Sequence, residues 1–263
     1  MISEVRIGKY QLHHGEEPCI SGTHGSGTVF FSGCNLGCVF CQNDPISRHG
    51  AGQQYTIEQL ADIFRELEEQ GAHNINIVTG YSWAERIIRA FDIYRPNVPV
   101  VWNSSGYEDV GTIRLLEDYV DVYLPDFKYY DESLAFKFTG KSDYPEVARR
   151  SISEMLRQKG NPEFDNDGII RKGVIIRHLV LPLHLKNTES VINHFSEYFG
   201  DAWFSLMLQY TPVVRSDKYP ELNRTLTKRE CEKAVMLLYN SGIENGYVQD
   251  PCAATTELIP DFI

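Results

Sequence analysis

The sequence predicts an α/β fold built on a parallel sheet of about six strand–helix units, fewer than the eight of a closed barrel. Short apolar runs alternate with amphipathic stretches of about ten or more residues, and this alternation is typical of parallel strands joined by crossover helices. Capping patterns precede several of the amphipathic stretches. Polar residues also follow successive apolar runs, as they do where strand ends form a site.

The strands are predicted from apolar runs of four to seven residues. The first is the run after Gly27, and the fifth is the Val- and Ile-rich run around Ile175. The predicted strands cover residues 28–32, 75–79, 98–102, 120–124, 174–180 and 203–208, with a short final strand at Val248.

The helices between these strands begin at local start signals. Thr56-Ile57-Glu58-Gln59, Ser82-Trp83-Ala84-Glu85 and Thr227-Lys228-Arg229-Glu230 are capping-box patterns, and Asp143-Tyr144-Pro145-Glu146 combines an N-cap with an early proline. The first helix carries an apolar face of Leu60, Ile63, Phe64 and Leu67. The helices are predicted at residues 56–70, 82–94, 110–119, 143–158, 189–198 and 227–240.

The chain is predicted to form one domain, residues 1–263. Residues 1–27 are interpreted as an N-terminal lead-in, 28–210 as the core of the strand–helix series, and 211–263 as a C-terminal lid and last helix. The glycine-rich segment 22–27 fits a flexible entry turn or an anion-binding nest, and the turn is favoured.

Composition narrows the functional classes. The 263 residues include 42% hydrophobic residues, enough for a sizeable core, and the net charge of −11 argues against non-specific nucleic-acid binding. Neither a signal peptide nor an apolar run of about 18 residues is recognisable, so we expect no membrane span. With six cysteines and no secretory signal, a reducing, cytoplasmic setting is predicted.

Three cysteines follow the first predicted strand at spacing C-x3-C-x2-C: Cys34, Cys38 and Cys41. A zinc site, a disulfide framework and chance clustering of buried thiols are alternatives, although a second Cys or His pair and a secreted context are missing. A [4Fe–4S] cluster normally takes four cysteines, so three would leave one iron open to a ligand. Their place at the carboxyl end of a strand favours a catalytic cluster.

Polar residues also follow the later strands, and together they predict a rim that holds a polar ligand. Three sets of these residues have other interpretations, which are in order turn or helix-cap chemistry, a solvated loop, and a satisfied buried pair or an exposed face. The sets are Asn103 to Ser105, Asp126 with Lys128, and Arg177 with His178.

The cysteine spacing, with Phe40 before the last cysteine, resembles the signature of the radical S-adenosylmethionine (SAM) enzymes. Nearly the whole chain resembles the relatives of the pyruvate formate-lyase activating enzyme. The stretches that carry this are Phe30 to Asn43, Tyr123-Leu124-Pro125-Asp126-Phe127-Lys128-Tyr129, Ile176 to Pro182, and Gln209-Tyr210-Thr211-Pro212.

The resemblance implies a partial (β/α)6, TIM-like barrel with a [4Fe–4S] cluster on Cys34, Cys38 and Cys41. It implies that SAM is cleaved reductively to a 5′-deoxyadenosyl radical that abstracts hydrogen. Flavodoxin or ferredoxin would supply the electron, and a glycyl radical enzyme would be the substrate. The cofactor-binding residues so predicted are Phe40 near the adenine, Thr79, Asn103, Ser104, Asp126, Lys128 and His178.

Two positions depart from the family pattern. Thr79-Gly80-Tyr81 stands where the family has Gly-Gly-Glu, and Asn103 stands where activating enzymes have Asp beside a monovalent cation. The alternatives left open are modification of a small molecule or peptide, and a non-catalytic iron–sulfur protein. The scattered Cys19, Cys231 and Cys252 are predicted to be structural thiols.

Overall fold

The computed structural model describes residues 4–249 and 260–262. Its strands are β1 (Glu4–His13), β2 (Ser26–Phe31), β3 (Gln53–Thr56), β4 (Ile75–Val78), β5 (Val100–Ser104), β6 (Val122–Pro125), β7 (Glu163–Phe164), β8 (Ile170–Leu179), β9 (Trp203–Met207) and β10 (Gly246–Val248). Its helices are α1 (Pro18–Ser21), α2 (Asp44–Ser47), α3 (Ile57–Glu69), α4 (Ala84–Ile93), α5 (Val110–Leu115), α6 (Glu132–Thr139), α7 (Tyr144–Lys159), α8 (Leu185–Tyr198) and α9 (Lys228–Asn240).

The strands form one sheet in the order β10-β9-β8-β6-β5-β4-β2-β1-β3, with β7 paired to β8 outside this path. All pairings from β2 to β10 along this order are parallel. At one end, β1 pairs antiparallel with both β2 and β3. Within the described residues no ladder joins β10 to β3, so the sheet is open. The predicted α/β fold with a partial barrel is confirmed.

Alternation along the strands divides the core into two layers. Outward side chains such as Trp102, Tyr123 and Ile176 belong to the large cluster between the sheet and the helices. Inward side chains such as Val101 and Ile175 form a smaller cluster, which α1 closes with its own apolar residues. The inner layer therefore has little apolar filling, and polar side chains occupy its carboxyl end.

Predicted helix starts are confirmed where the N-cap side chain and the side chain three residues later form both hydrogen bonds of a capping box. Thr56 accepts a hydrogen bond from the Gln59 N–H at 3.2 Å, and the Gln59 side chain accepts one from the Thr56 N–H at 2.9 Å. The same box at Thr227 begins α9. The predicted box at Ser82 is wrong, because Tyr81–Trp83 forms a 3₁₀ turn and α4 begins at Ala84 without a side-chain cap.

The amino-terminal prediction needs correction. Residues 4–13, within the segment interpreted as a lead-in, form the ten-residue strand β1, which was not predicted. A register shift between Ile7 and Lys9 interrupts its alternation, and this bulge hid the strand pattern in the sequence. The strands β3 and β7 and the helix α6 were also missed. Among the described residues, no helix is both long enough and apolar enough to span a membrane.

Candidate active site and metal centre

The cysteine loop follows β2 and is held from both sides by backbone hydrogen bonds. Gly33, with φ of +91°, turns the chain out of the strand in a conformation that favours glycine. The Cys34 N–H donates to the Ser47 carbonyl at 3.1 Å, and the Val39 N–H donates to the Phe138 carbonyl at 2.9 Å. The loop is thus fixed between α2 and α6 at the carboxyl edge of the sheet.

All three thiols of this loop line one cavity of about 250 Å³. Burial raises the pKa of Cys38 to about 12, and the nearby Lys128 ammonium opposes that rise. A bound metal centre would supply the positive charge that a buried thiolate needs. Within residues 4–249 and 260–262, no three His, Cys, Asp or Glu side chains surround a single metal-ion position. Three thiols on one cavity fit a multi-iron cluster, which spreads its ligands over several metal atoms.

On the wall of the same cavity, Arg177 of β8 links the segment after β1 with the carboxyl ends of β5 and β6. Its Nη1 donates to Glu16 Oε2 at 2.8 Å, its Nε to Asp126 Oδ1 at 3.0 Å and its Nη2 to Asn103 Oδ1 at 2.6 Å. Lys128 Nζ pairs with Asp126 Oδ2 at 2.5 Å. The charged side chains of this network are only 10–17% exposed. Two carboxylates and two cations are therefore held close together at the cavity wall.

The network favours the charged forms of Asp126 and Lys128. Burial alone would raise the pKa of Asp126, but Lys128 and Arg177 together outweigh it and hold that pKa below its usual value. Burial would likewise lower the pKa of Lys128, yet Asp126 and Cys38 hold it above its ordinary value. Fixed charges of both signs inside a poorly hydrated cavity can bind a ligand that carries both signs.

The structure brings most of the predicted site residues together. One cavity is lined by Cys34, Cys38, Phe40, Cys41, Thr79, Asn103, Ser104, Asp126 and Lys128. Thr79 adopts a left-handed conformation with φ of 61°, and its N–H donates to the Asn103 carbonyl at 3.1 Å. The Phe40 ring packs edge-on against Phe138 and Tyr210, with centroids 6.1 and 5.8 Å away.

His178 does not reach the cavity, and the prediction that it contacts the cofactor is corrected. Its ring is fully buried on the outward face of β8. Nδ1 lies 2.8 Å from the Phe127 carbonyl, and Nε2 lies 3.0 Å from Thr188 Oγ1 on α8. The two-residue strand period points Arg177 and Leu179 into the cavity and His178 towards the helices. His178 therefore joins β8 to its covering helix.

Glu16 is the charged residue of the site that sequence reasoning missed. It lies between β1 and α1, in the segment interpreted as a lead-in, and lines the cavity. Its Oε1 accepts hydrogen bonds from Asn103 at 3.0 Å and from Asn76 at 3.3 Å. The only local signal was the acidic pair Glu16-Glu17 beside Pro18, and nothing in the spacing linked it to Arg177.

Two other cysteines of the described residues, Cys19 and Cys231, do not line the cavity. Cys19 is buried in the inner apolar cluster, and Cys231 is buried on α9 against the outer one. Their structural role stays a prediction. Cys252 lies outside the described residues.

Comparison with known proteins gives a family match and several similar proteins. The model of the radical SAM superfamily matches residues 28–166. An uncharacterized protein of Methanocaldococcus jannaschii is 34% identical over 236 residues, which cover 86% of this chain. The chain spans only 64% of that relative's length.

Two solved structures share a weaker likeness. Methylornithine synthase has a TM-score of 0.48 and 15% identity, covering 82% of this chain and 68% of that one. A domain of the pyruvate formate-lyase activating enzyme from Bacteroides vulgatus has a TM-score of 0.38 and 14% identity, covering 74% and 91%. Neither likeness is strong enough to indicate an activity.

Proposed function

This chain belongs to the radical SAM superfamily, and from that premise we propose that it cleaves SAM reductively at a [4Fe–4S] cluster and abstracts hydrogen from a substrate. One observation carries the proposal: the three thiols of the cysteine loop line the same cavity as a buried pair of carboxylates and a buried pair of cations. The same cavity therefore offers thiol ligands for a metal centre and charged partners for a zwitterionic ligand.

Cys34, Cys38 and Cys41 would hold the cluster and leave one iron for SAM. When bound, the cluster and SAM together supply one-electron chemistry that yields a 5′-deoxyadenosyl radical. The protein holds the thiols at fixed positions by anchoring their loop on α2 and α6. Its contribution is therefore binding, orientation and exclusion of competing reactions.

The charged network supplies partners for the methionyl part of SAM. Glu16 and Asp126 are acceptors for an ammonium group, and Lys128 is a donor for a carboxylate. Thr79-Gly80-Tyr81 provides no carboxylate, so the acidic acceptor comes from the segment before α1 instead of from the end of β4. Glu16→Gln should weaken SAM binding by about tenfold, which corresponds to about 1.4 kcal/mol of a charge-assisted hydrogen bond.

The aromatic residues beside the cysteine loop form an apolar wall of the site. Phe40 is 6% exposed and packs on Phe138 and Tyr210. An apolar ring at this position can stack on a purine and keeps water away from the thiols. Ser104 lines the same cavity and can hydrogen-bond a polar ligand.

The proposed substrate is a backbone glycine of a glycyl radical enzyme, and flavodoxin or ferredoxin is the proposed reductant. The support is the resemblance at Tyr123 to Tyr129 and Gln209 to Pro212, which is an argument from similarity. Incubation of the reduced enzyme and SAM with the glycyl radical enzyme of the same organism should produce the doublet EPR signal of a glycyl radical. No signal would direct the search to small molecules or peptides.

The cluster and its open iron are tested by anaerobic reconstitution. The wild-type protein should bind about four iron and four sulfide per chain. The EPR spectrum of its reduced cluster should change when SAM is added. Cys38→Ala should lose this response, whereas Cys231→Ala, a buried cysteine outside the cavity, should keep it. One zinc per chain, or a spectrum insensitive to SAM, would contradict the proposal.

A further inference from the structure

Hydrogen-bond donors surround the sulfur atoms of the cysteine loop. Ser47, on α2, donates from its hydroxyl to Cys41 Sγ at 3.1 Å. The Leu36 N–H donates to Cys34 Sγ at 3.5 Å. Two of the three thiols therefore already have a donor from the protein, and one of these donors is a side chain.

The third thiol, Cys38, lies beside a buried phenol. Tyr129 follows Lys128 in the β6–α6 connection and is fully buried, with its ring 5.3 Å from that of Tyr144 and 6.3 Å from that of Phe138. Its hydroxyl has no hydrogen-bond partner among the described residues. The Cys38 side chain is within interaction distance of this hydroxyl.

A buried hydroxyl without a partner is rare in folded proteins, because it loses its hydrogen bond to water without compensation. The thiolate of a cluster ligand is a strong acceptor, and Cys38 is the thiol beside this hydroxyl. The Tyr129 ring is fixed by its aromatic neighbours, so its position does not depend on a flexible side chain. The unpartnered hydroxyl and the fixed ring both fit a donor whose acceptor is the Cys38 sulfur in the cluster-bound protein.

We infer that Ser47 and Tyr129 are positioning residues whose hydroxyls donate to the ligand sulfurs of Cys41 and Cys38 and thereby raise the reduction potential of the cluster. The inference rests on the proposed function. Reduction adds negative charge that the ligand sulfurs share, and a donor aimed at a sulfur stabilises the reduced state more than the oxidised one. In a buried site this difference is larger than in water.

The inference predicts the potentials of four variants. In an EPR-monitored redox titration of the reconstituted protein, Ser47→Ala and Tyr129→Phe should each lower the midpoint potential. At a fixed potential the ratio of reduced to oxidised cluster should fall about tenfold, equivalent to about 59 mV for one electron. Ser151→Ala and Tyr123→Phe remove hydroxyls of other buried residues that do not line the cavity and should leave the potential unchanged.

Two further measurements keep the inference falsifiable if a truncated side chain impairs cluster loading. Ser47→Thr retains a hydroxyl and should restore the wild-type potential. Incorporation of 2,3-difluorotyrosine at position 129 retains the ring and makes a stronger donor, so it should raise the potential. Full iron and sulfide content with wild-type potentials in Ser47→Ala, Tyr129→Phe and the difluorotyrosine protein would overturn the inference but leave SAM cleavage standing. Failure of the wild-type protein to bind a [4Fe–4S] cluster would overturn both.

Discussion

Replacing Arg177 with Met should destabilise the protein by about 3–5 kcal/mol, the usual loss when one partner of a buried charge pair is removed. Arg177 is 12% exposed and donates to Glu16 at 2.8 Å and to Asp126 at 3.0 Å. Methionine fills similar space without charge, so Lys128 would be left to balance two buried carboxylates. At about 2–4 °C per kcal/mol for a chain of this size, the midpoint of thermal unfolding should fall by about 6–20 °C.

The loss should depend on pH in a defined direction. In the wild-type protein the pKa of Asp126 lies below its ordinary value, because Lys128 and Arg177 outweigh burial. Its stabilisation is therefore present above the unfolded-state pKa of about 3.9 and is lost as the pH falls through the folded value. Without Arg177, burial prevails and the pKa of Asp126 rises. The difference between variant and wild type should be largest near pH ~7 and smaller near pH ~5, where protonation removes the unpaired charge.

The assay is anaerobic urea and thermal unfolding of the apoprotein at both pH values. Arg171→Met is the matched control, because Arg171 lies on the same strand and makes a two-point contact with Asp165 but is 47% exposed. The control should lose about 0–1 kcal/mol. Equal losses for the two variants, or a loss for Arg177→Met that grows as the pH falls, would refute the view that the network is a buried, charged unit.

Three other predictions concern the stability of the elements that support the site. Gly106→Ala should lose about 1–3 kcal/mol, because Gly106 has φ of +73° and an added Cβ would collide with the Asp126 carbonyl oxygen; an unfolding free energy equal to wild type would contradict this. His178→Gln should lower the free energy of unfolding by about 1–3 kcal/mol, because it disturbs the hydrogen bond to Thr188 on α8. It should leave the SAM dissociation constant unchanged in calorimetry, and a tenfold weaker affinity would show that His178 contacts SAM. Thr56→Ala should lose about 1 kcal/mol in urea unfolding by removing half of the α3 capping box, and a neutral result would show that packing alone fixes that helix start.

Local patterns in the sequence were enough to predict the parts of the fold that depend on near neighbours. The capping box at Thr56 and the apolar face of α3 act within one or two helical turns, and the structure contains both. The cysteine loop was likewise placed at the end of a strand by the apolar run before it. These features need no knowledge of the rest of the chain.

The contacts that long-range pairing creates could not be predicted in this way. The bond between Arg177 and Glu16 joins residues 161 positions apart. The neighbouring His178 was assigned to the wrong face because a strand covered on both sides is apolar throughout, so its sequence does not show which side chains point inward. Only the parallel pairing of β8 with β6 and β9 fixes that choice.

The most direct test of the central claim is the formation of 5′-deoxyadenosine by the reconstituted and reduced protein incubated with SAM, measured by chromatography. The proposed function predicts its formation by the wild-type protein and by Cys231→Ala, and its loss in Cys38→Ala. A wild-type protein that carries a complete, reduced [4Fe–4S] cluster and binds SAM, yet forms no 5′-deoxyadenosine, would contradict the claim and support a non-catalytic iron–sulfur protein.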